Sequence, residues 1–180
     1  MKKIAIDVYY KETCAKVAGV IFQNYSDEKP EEIITTEIYN LEPYESGQFY
    51  KRELPGILKL LEKIDQNEFD TILLDSHTWL WDTNAKIPRP GLGAHLSGWL
   101  ENRKIEIIGV AKTFYCDNNL HTHLCFRGQS TNPLYVDTLD HNKSLSGIIE
   151  SMYGKYRIPD LIKLADTESK LNFKEGYNEN

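Results

Sequence analysis

The order of strand-like and helical segments is the feature that most constrains how this chain can fold. Three segments with β-type alternation come first, at residues 3–9, 15–23 and 33–39. An apolar stripe at helical spacing then begins near Leu54, with Pro55 placed in the first turn, and short apolar runs alternate with helical segments after it. This order predicts an α/β fold in which helices flank both faces of a mixed β-sheet.

The later segments complete one predicted domain over residues 1–172, followed by a flexible tail at residues 173–180. Residues 76–90 are rich in Trp, Pro and Asn and are predicted to form a long functional loop. The full order is typical of a ribonuclease-H-like fold, in which acidic residues converge from separate strands. The remaining predicted strands are residues 69–74, 105–111, 120–127 and 134–136, and the remaining helices are residues 92–102, 144–156 and 159–169.

Composition narrows the class of protein without deciding its partner. Apolar residues make up 41% of the 180 residues and charged residues 27%, and the chain has no apolar run of the roughly 20 residues that a membrane span needs. Three cysteines without paired spacing fit a reduced, cytoplasmic protein. We expect this protein to be a monomer that does not bind membranes. The net charge of −6 argues weakly against a nucleic-acid partner, although a local basic rim can coexist with it.

Three acidic residues stand out by their positions. Asp7 lies inside an apolar strand, Asp75 ends another strand, and Glu53 lies at the start of a helix. Each has a structural alternative, since Asp75 can cap a loop, Glu53 can favour a helix N-terminus, and Asp7 can pair with a lysine. Together they predict a carboxylate cluster for Mg²⁺ or Mn²⁺, because hard cations select oxygen ligands. Such a site can orient a water and stabilise charge on a phosphate.

Ordered motifs along nearly the whole chain resemble the endonuclease V family. Residues 43–55 are the most specific, because they match the family stretch Pro-Tyr-x-x-Gly-x-x-x-(Phe)-Arg-Glu-x-Pro without a gap. The other matching motifs are Ile6-Asp7-Val8 in the first strand, Gly109-Val110-Ala111-Lys112, Pro133-Leu134-Tyr135-Val136 followed by His141 and Ser144, and Tyr156-Arg157-Ile158-Pro159 followed by Ala165-Asp166.

The resemblance implies an endonuclease that depends on Mg²⁺ or Mn²⁺ and takes part in nucleic-acid repair. It would nick a strand on the 3′ side of inosine, the product of adenine deamination. Asp7, Glu53 and Asp75 would be the metal-binding acids. Lys112 would lie near the scissile phosphate. His141 would lie at the edge of the site and assist proton transfer or hold a phosphate, with an ordinary loop histidine as the alternative.

The resemblance also implies residues that contact the nucleic acid. Tyr44 would belong to a wedge that separates the strands and holds the base lifted from the stack. Gly47 would let the backbone approach that base, and Arg89 would contribute to a basic rim. His77 and Trp79 lie in the loop after Asp75, where Trp79 can stack on a base or simply pack in a lid over the core.

Two departures from the family pattern keep alternatives open. The wedge reads Pro43-Tyr44-Glu45-Ser46 where the family has Pro-Tyr-Ile-Pro, and Ile87 stands where the family has a histidine, so either His77 takes over that role or the role is lost. One alternative is the same chemistry on RNA, with or without inosine, or on single-stranded DNA. The other is a catalytically weak binding module that retains the fold.

Overall fold

The chain folds into strands and helices in nearly the order that the sequence predicts. The computed structural model describes residues 1–11, 13–41, 43, 45, 48–81, 87–101, 103–115, 122–140 and 142–173. The strands are β1 (Lys2–Tyr10), β2 (Cys14–Phe22), β3 (Glu32–Tyr39), β4 (Phe69–Leu74), β5 (Trp79–Leu80), β6 (Arg89–Pro90), β7 (Glu106–Ala111), β8 (His123–Cys125) and β9 (Leu134–Thr138). The helices are α1 (Tyr50–Leu61), α2 (Leu92–Leu100), α3 (Ser146–Ser151) and α4 (Asp160–Lys170).

Seven of these strands form one mixed sheet in the order β3-β2-β1-β4-β7-β9-β8. The strands β1, β4 and β7 run parallel, while the two outer pairs on each side are antiparallel. Parallel neighbours need crossover connections, and α1 and α2 lie in the connections that follow β3 and β4. The carboxyl ends of β1, β4 and β7 therefore meet at one edge of the sheet. This mixed α/β sheet confirms the predicted ribonuclease-H-like fold.

Helices cover both faces of the sheet, as predicted. Helices α1 and α2 pack on one face in a core that includes Ile4 and Ile6, and this face is called the α1–α2 face. Helices α3 and α4 pack on the opposite, α3–α4 face, whose core includes Ala5. The alternation of side chains along β1 explains this division, since successive residues of a strand point to opposite faces.

The same alternation directs polar side chains at the strand ends towards α4. In three strands, a residue of the α3–α4 core is followed two positions later by a charged residue at the carboxyl edge. These charged side chains therefore lie on the α3–α4 face, at the carboxyl edge of the sheet. The pairs are Ala5 and Asp7, Leu73 and Asp75, and Val110 and Lys112.

Helix α1 differs from its predicted start. It begins at Tyr50, so Glu53 lies in its first turn and Pro55 lies inside the helix, beyond the first turn in which the sequence placed it. The predicted loop at residues 76–90 contains the short antiparallel pair β5 and β6. None of the helices in the described residues is long and apolar enough to cross a membrane.

Helix α3 is shorter than predicted because Arg127 binds the backbone that follows it. The buried Arg127 guanidinium donates to the carbonyl oxygens of Met152 at 2.5 Å, Tyr156 at 2.9 Å and Gly154 at 3.0 Å. These carbonyls are thus satisfied outside a helix, and Gly154 has a positive φ of 121°. The helix predicted over residues 144–156 therefore ends earlier than predicted, at Ser151, and it also begins later, at Ser146.

The domain also packs one residue beyond the predicted boundary at residue 172. Phe173 is buried, and its ring meets Tyr9 edge-on at 6.1 Å between ring centroids. The rest of the expected tail, residues 174–180, lies outside the described residues.

We predict that Arg127→Met lowers the free energy of unfolding by about 3 kcal/mol, because the carbonyl oxygens of Met152, Gly154 and Tyr156 lose their donor together. Arg127→Lys should give an intermediate loss, since an ammonium cannot reproduce the guanidinium fork. Urea denaturation measures both. Lys155→Met on the exposed side of the same segment is the control, and an equal loss in that variant would contradict the role of Arg127.

Candidate active site

Three aspartates form a carboxylate cluster at the carboxyl edge of the sheet. Asp7 comes from β1, Asp75 directly follows β4, and Asp166 comes from α4. One carboxylate oxygen from each lies within 4.8 Å of the others. The three side chains line a cavity of about 410 Å³. The predicted convergence of Asp7 and Asp75 is therefore present, with Asp166 added from a third element.

Glu53 approaches the same cavity from α1. Its side chain is only 7% exposed. Burial raises the pKa of Glu53 well above its usual range, and the negative charges of Asp7 and Asp75 raise it further. All three acids that the sequence singled out thus line one cavity.

Asp7 experiences a similar environment. Burial raises its pKa to about 6, and the neighbouring charge of Asp75 adds to this effect. The hydroxyl of Ser169 donates a hydrogen bond of 2.6 Å to Asp7 Oδ2 and Lys112 lies nearby, and both oppose the rise. The carboxylate is oriented by α4 but not neutralised by it.

Lys112 lies between two of the aspartates. Its ammonium forms ion pairs with Asp75 and, at 3.0 Å, with Asp166 Oδ1. Burial alone would lower the pKa of Lys112, but the bonds to these carboxylates outweigh burial and raise it. Lys170 binds the same oxygen of Asp166 at 2.8 Å. Carboxylates of the cavity nevertheless outnumber ammonium groups four to two.

This donor set fits a divalent cation. Carboxylate oxygens clustered within 4.8 Å are the ligands that Mg²⁺ and Mn²⁺ prefer. The excess of two carboxylates over ammonium groups equals the charge of one such ion. Burial and the neighbouring carboxylates raise the pKa of Asp7 and Glu53, and a cation bound among them would oppose this rise. Asp7, Asp75 and Asp166 are the residues that could hold a metal, with Glu53 beside them.

Asp166 is the site residue that the sequence analysis did not select. It appeared only at the end of a matching motif. The signal was present in the helical spacing, because Ala165 and Ser169 are buried against the sheet and Asp166 lies next to them on the helix. When the face of α4 that carries Ala165 and Ser169 packs on β1, Asp166 lies close to Asp7.

A second cavity adjoins the carboxylate cluster. It has a volume of about 800 Å³, within the size range of ligand pockets, and shares Phe49, Asp75 and Leu92 with the first. Its other walls carry ring systems and two cationic side chains. These are Tyr50, His77, Tyr115, Arg89 and Lys112. An acidic centre therefore opens onto a space that suits an aromatic, anionic molecule.

The other predicted contact residues occupy different environments. Both ring nitrogens of His77 are engaged, since Nδ1 lies 3.0 Å from Asp137 Oδ2 and Nε2 lies 3.2 Å from the Thr113 carbonyl. Trp79 is half-buried, and its indole N–H donates to the Leu139 carbonyl at 3.2 Å. Arg89 is exposed and donates to the Tyr115 hydroxyl at 3.0 Å.

Three predicted site residues have no structural description. Tyr44, Gly47 and His141 lie outside the described residues, so the wedge, the close backbone approach and the edge histidine remain predictions. Ile87, where the resemblance led us to look for a histidine, is 76% exposed.

Comparison with solved structures places the chain among endonuclease V folds. The Bacillus subtilis Endonuclease V structure matches with a TM-score of 0.68 at 19% identity, covering 93% of this chain and 78% of that one. A Ciona intestinalis Endonuclease V in complex with DNA containing an inosine matches with a TM-score of 0.67 at 20% identity, covering 93% and 84%. The Streptomyces avermitilis Endonuclease V matches with a TM-score of 0.62 at 21% identity, covering 94% and 79%.

The match to a family model is independent of these structures. A search of curated proteins gave no match. The family model described as Endonuclease V matches residues 3–138, which include α1, β4, β7 and nearly all of β1, with four of the five predicted catalytic residues: Asp7, Glu53, Asp75 and Lys112. Because that match spans most of its length, the chain belongs to the Endonuclease V family.

Proposed function

We propose that this protein is a metal-dependent endonuclease that hydrolyses the phosphodiester on the 3′ side of inosine in DNA. The observation that carries the proposal is the cluster of Asp7, Asp75 and Asp166 beside Lys112, opening onto the aromatic cavity. Family membership supports a nuclease. The inosine-containing DNA held by the Ciona intestinalis enzyme supports this substrate.

Asp7, Asp75 and Asp166 would hold the Mg²⁺ or Mn²⁺, with Glu53 completing the acidic lining. The bound ion would supply Lewis-acid stabilisation of phosphate charge and lower the pKa of a water. The pKa values of Glu53 and Asp7 lie above those of ordinary carboxyls, so a cation held by Asp7, Asp75 and Asp166 would favour the ionised form of both residues. In that form, Glu53 and Asp7 would each be able to accept a hydrogen bond at the reacting centre.

Lys112 supplies positive charge at a fixed place in this site. Its ammonium is held by ion pairs with Asp75 and Asp166, and its side chain lines the larger cavity. A phosphate entering beside Lys112 would take its ammonium as a hydrogen-bond donor, which stabilises charge that develops on a non-bridging oxygen. His141 would assist proton transfer at the edge of the site, and Tyr44 and Gly47 would hold the displaced base.

A second candidate is the same chemistry on inosine-containing or other RNA, or on single-stranded DNA. Glu45, at the position of an apolar wedge residue in the family pattern, forms an ion pair of 3.2 Å with Lys51 on the surface. A charged pair inserts between stacked bases less readily than an apolar side chain, because both charges lose hydration. A strand that is already unpaired avoids this cost.

We predict that the wild-type protein with Mg²⁺ or Mn²⁺ cuts inosine-containing strands but not matched adenosine strands. Asp75→Asn and Asp166→Asn should each lower kcat at least about a hundredfold, as expected for groups that bind or orient a catalytic metal. A gel-based cleavage assay with DNA and RNA substrates measures both effects. Asp140→Asn, at an exposed position, is the control.

The outcomes of this assay separate the alternatives. Full activity in Asp166→Asn would exclude Asp166 from the site. A folded wild-type protein that binds the metal and these strands but cuts none of them would favour the binding-module alternative. Cutting of RNA or single strands alone would establish the second candidate.

We predict an unusual pH dependence of stability in the absence of metal. Because the folded-state pKa of Asp7 is raised from 3.8 to about 6, the folded protein binds more protons than the unfolded chain between these values, and its stability falls as pH rises through that window. At pH 7 in EDTA, Asp7→Asn should raise the free energy of unfolding by up to about 3 kcal/mol. It should also remove stabilisation by Mg²⁺, and chemical denaturation measures both. A less stable Asp7→Asn protein in EDTA would contradict the assignment.

We predict that Glu45→Ile raises kcat/KM on duplex inosine DNA several-fold relative to single-stranded inosine DNA, because an apolar wedge residue assists strand separation. Lys51→Ala breaks the same ion pair without adding an apolar side chain and is the matched control. An equal gain in both variants would assign the effect to loss of the ion pair.

A further inference from the structure

An apolar strip lies on the α1–α2 face of the sheet, outside the hydrophobic core that helices α1 and α2 cover. It consists of Phe114, Leu124, Phe126 and Tyr135. Phe114 is 44% exposed, Leu124 53% and Phe126 52%, and Phe126 lies two residues after Leu124 in the chain. Exposed apolar groups that adjoin one another usually mark an interaction site, whereas single ones need no explanation.

Strand pairing places these side chains on one face. Tyr135 lies opposite Ala111 of β7 and opposite Leu124 of β8. Its neighbours Leu134 and Val136 belong to the core of the α3–α4 face, so Tyr135 and Leu124 point the other way. Helix α3, which packs against β8 and β9, lies on the face opposite the strip.

Phe114 joins the strip to the candidate site. Its ring lies 5.4 Å from the Tyr135 ring, at an interplanar angle of 47°. The residues on either side of it, Thr113 and Tyr115, line the larger cavity together with Lys112. The strip therefore begins where that cavity ends and continues outward across β9 to β8.

The sequence segment that carries the strip contains few acidic residues, which favours an anionic partner. The chain has 27 acidic residues, yet the sequence between Glu106 and Asp137 contains a single one, Asp117. Asp137 itself is buried beside His77. The cationic groups at the inner end of the strip are Lys112 and Arg89, both of which line the cavity. The acidic character of the whole chain is thus absent along this segment.

We propose that the apolar strip is a stacking platform for unpaired nucleotides that flank the one held at the carboxylate cluster. Ring and aliphatic faces bind bases of any sequence, and cationic groups at one end contact the phosphates. Neighbouring strands lie about 4.8 Å apart, so the distance from Ala111 to Leu124 accommodates the bases of one or two nucleotides. This inference rests on the proposed function and adds a path for the substrate strand.

The test uses the full chain and a short inosine-containing single strand that includes the phosphodiester to be cut on the 3′ side of the inosine. This core strand is extended by further nucleotides on the 5′ side only, on the 3′ side only, or on neither. Leu124→Thr/Phe126→Thr should raise KM about tenfold on strands extended on one of the two sides, with kcat unchanged. The same variant should cut the unextended strand as well as the wild type. Phe114→Ser, tested alone, should give the same pattern if the double variant does not fold.

The matched control is Ile33→Thr, which alters a side chain that is 37% exposed on β3, the edge strand at the other end of the sheet. The proposal is overturned if the strip variants affect extended and unextended strands equally, or neither. It is also overturned if they change the oligomeric state in sedimentation and leave KM unchanged, since the strip would then be an interface between copies.

Failure of the proposed function would give a different result. If the wild type cuts no strand, fluorescence anisotropy of a single strand without inosine, measured in EDTA, still tests the platform. Loss of binding in the strip variants but not in Ile33→Thr would support it, and equal binding in all proteins would overturn it.

Discussion

The mutual repulsion of four carboxylates at one edge of a sheet is the constraint on which this site depends. Asp7, Glu53, Asp75 and Asp166 come from three different elements and the end of a fourth, and all line one cavity. Two lysines offset part of the charge. The fold holds the acids together although they destabilise one another, which is typical of sites that bind cations or perform chemistry.

The alternation of apolar and polar residues along the strands gave most of the structural predictions that the sequence allowed. The apolar pattern of β1, β4 and β7 indicates both where the strands lie and which face each charged residue takes, so the convergence of Asp7 and Asp75 followed from the fold. The mixed sheet with helices on both faces followed from the order of elements. Glu53 stood out by its position at the start of a helix, and the motif at residues 43–55 supported its selection, because no strand pattern indicates an approach from a helix.

Contacts between segments far apart in sequence could not be predicted in this way. Arg127 shortens α3 by binding carbonyls that a helical pattern assigns to the helix itself. His77 and Trp79 are residue types that can contact a nucleic acid. In this fold, His77 instead lies within hydrogen-bond distance of Asp137 and Thr113, and Trp79 donates a hydrogen bond to Leu139. These partners depend on how a loop packs on β9, which local spacing does not encode.

The last helix has a consequence for the order in which the site is completed during synthesis. Ser169 and Asp166 reach Asp7 from the other end of the chain, and the bond between Asp7 and Ser169 spans 162 residues. A growing polypeptide that has not yet released α4 from the ribosome possesses β1, β4 and β7 but lacks one of the three clustered aspartates. The acidic cluster is therefore complete only after α4 has left the ribosome, so a nascent chain that stops before α4 does not carry all three aspartates.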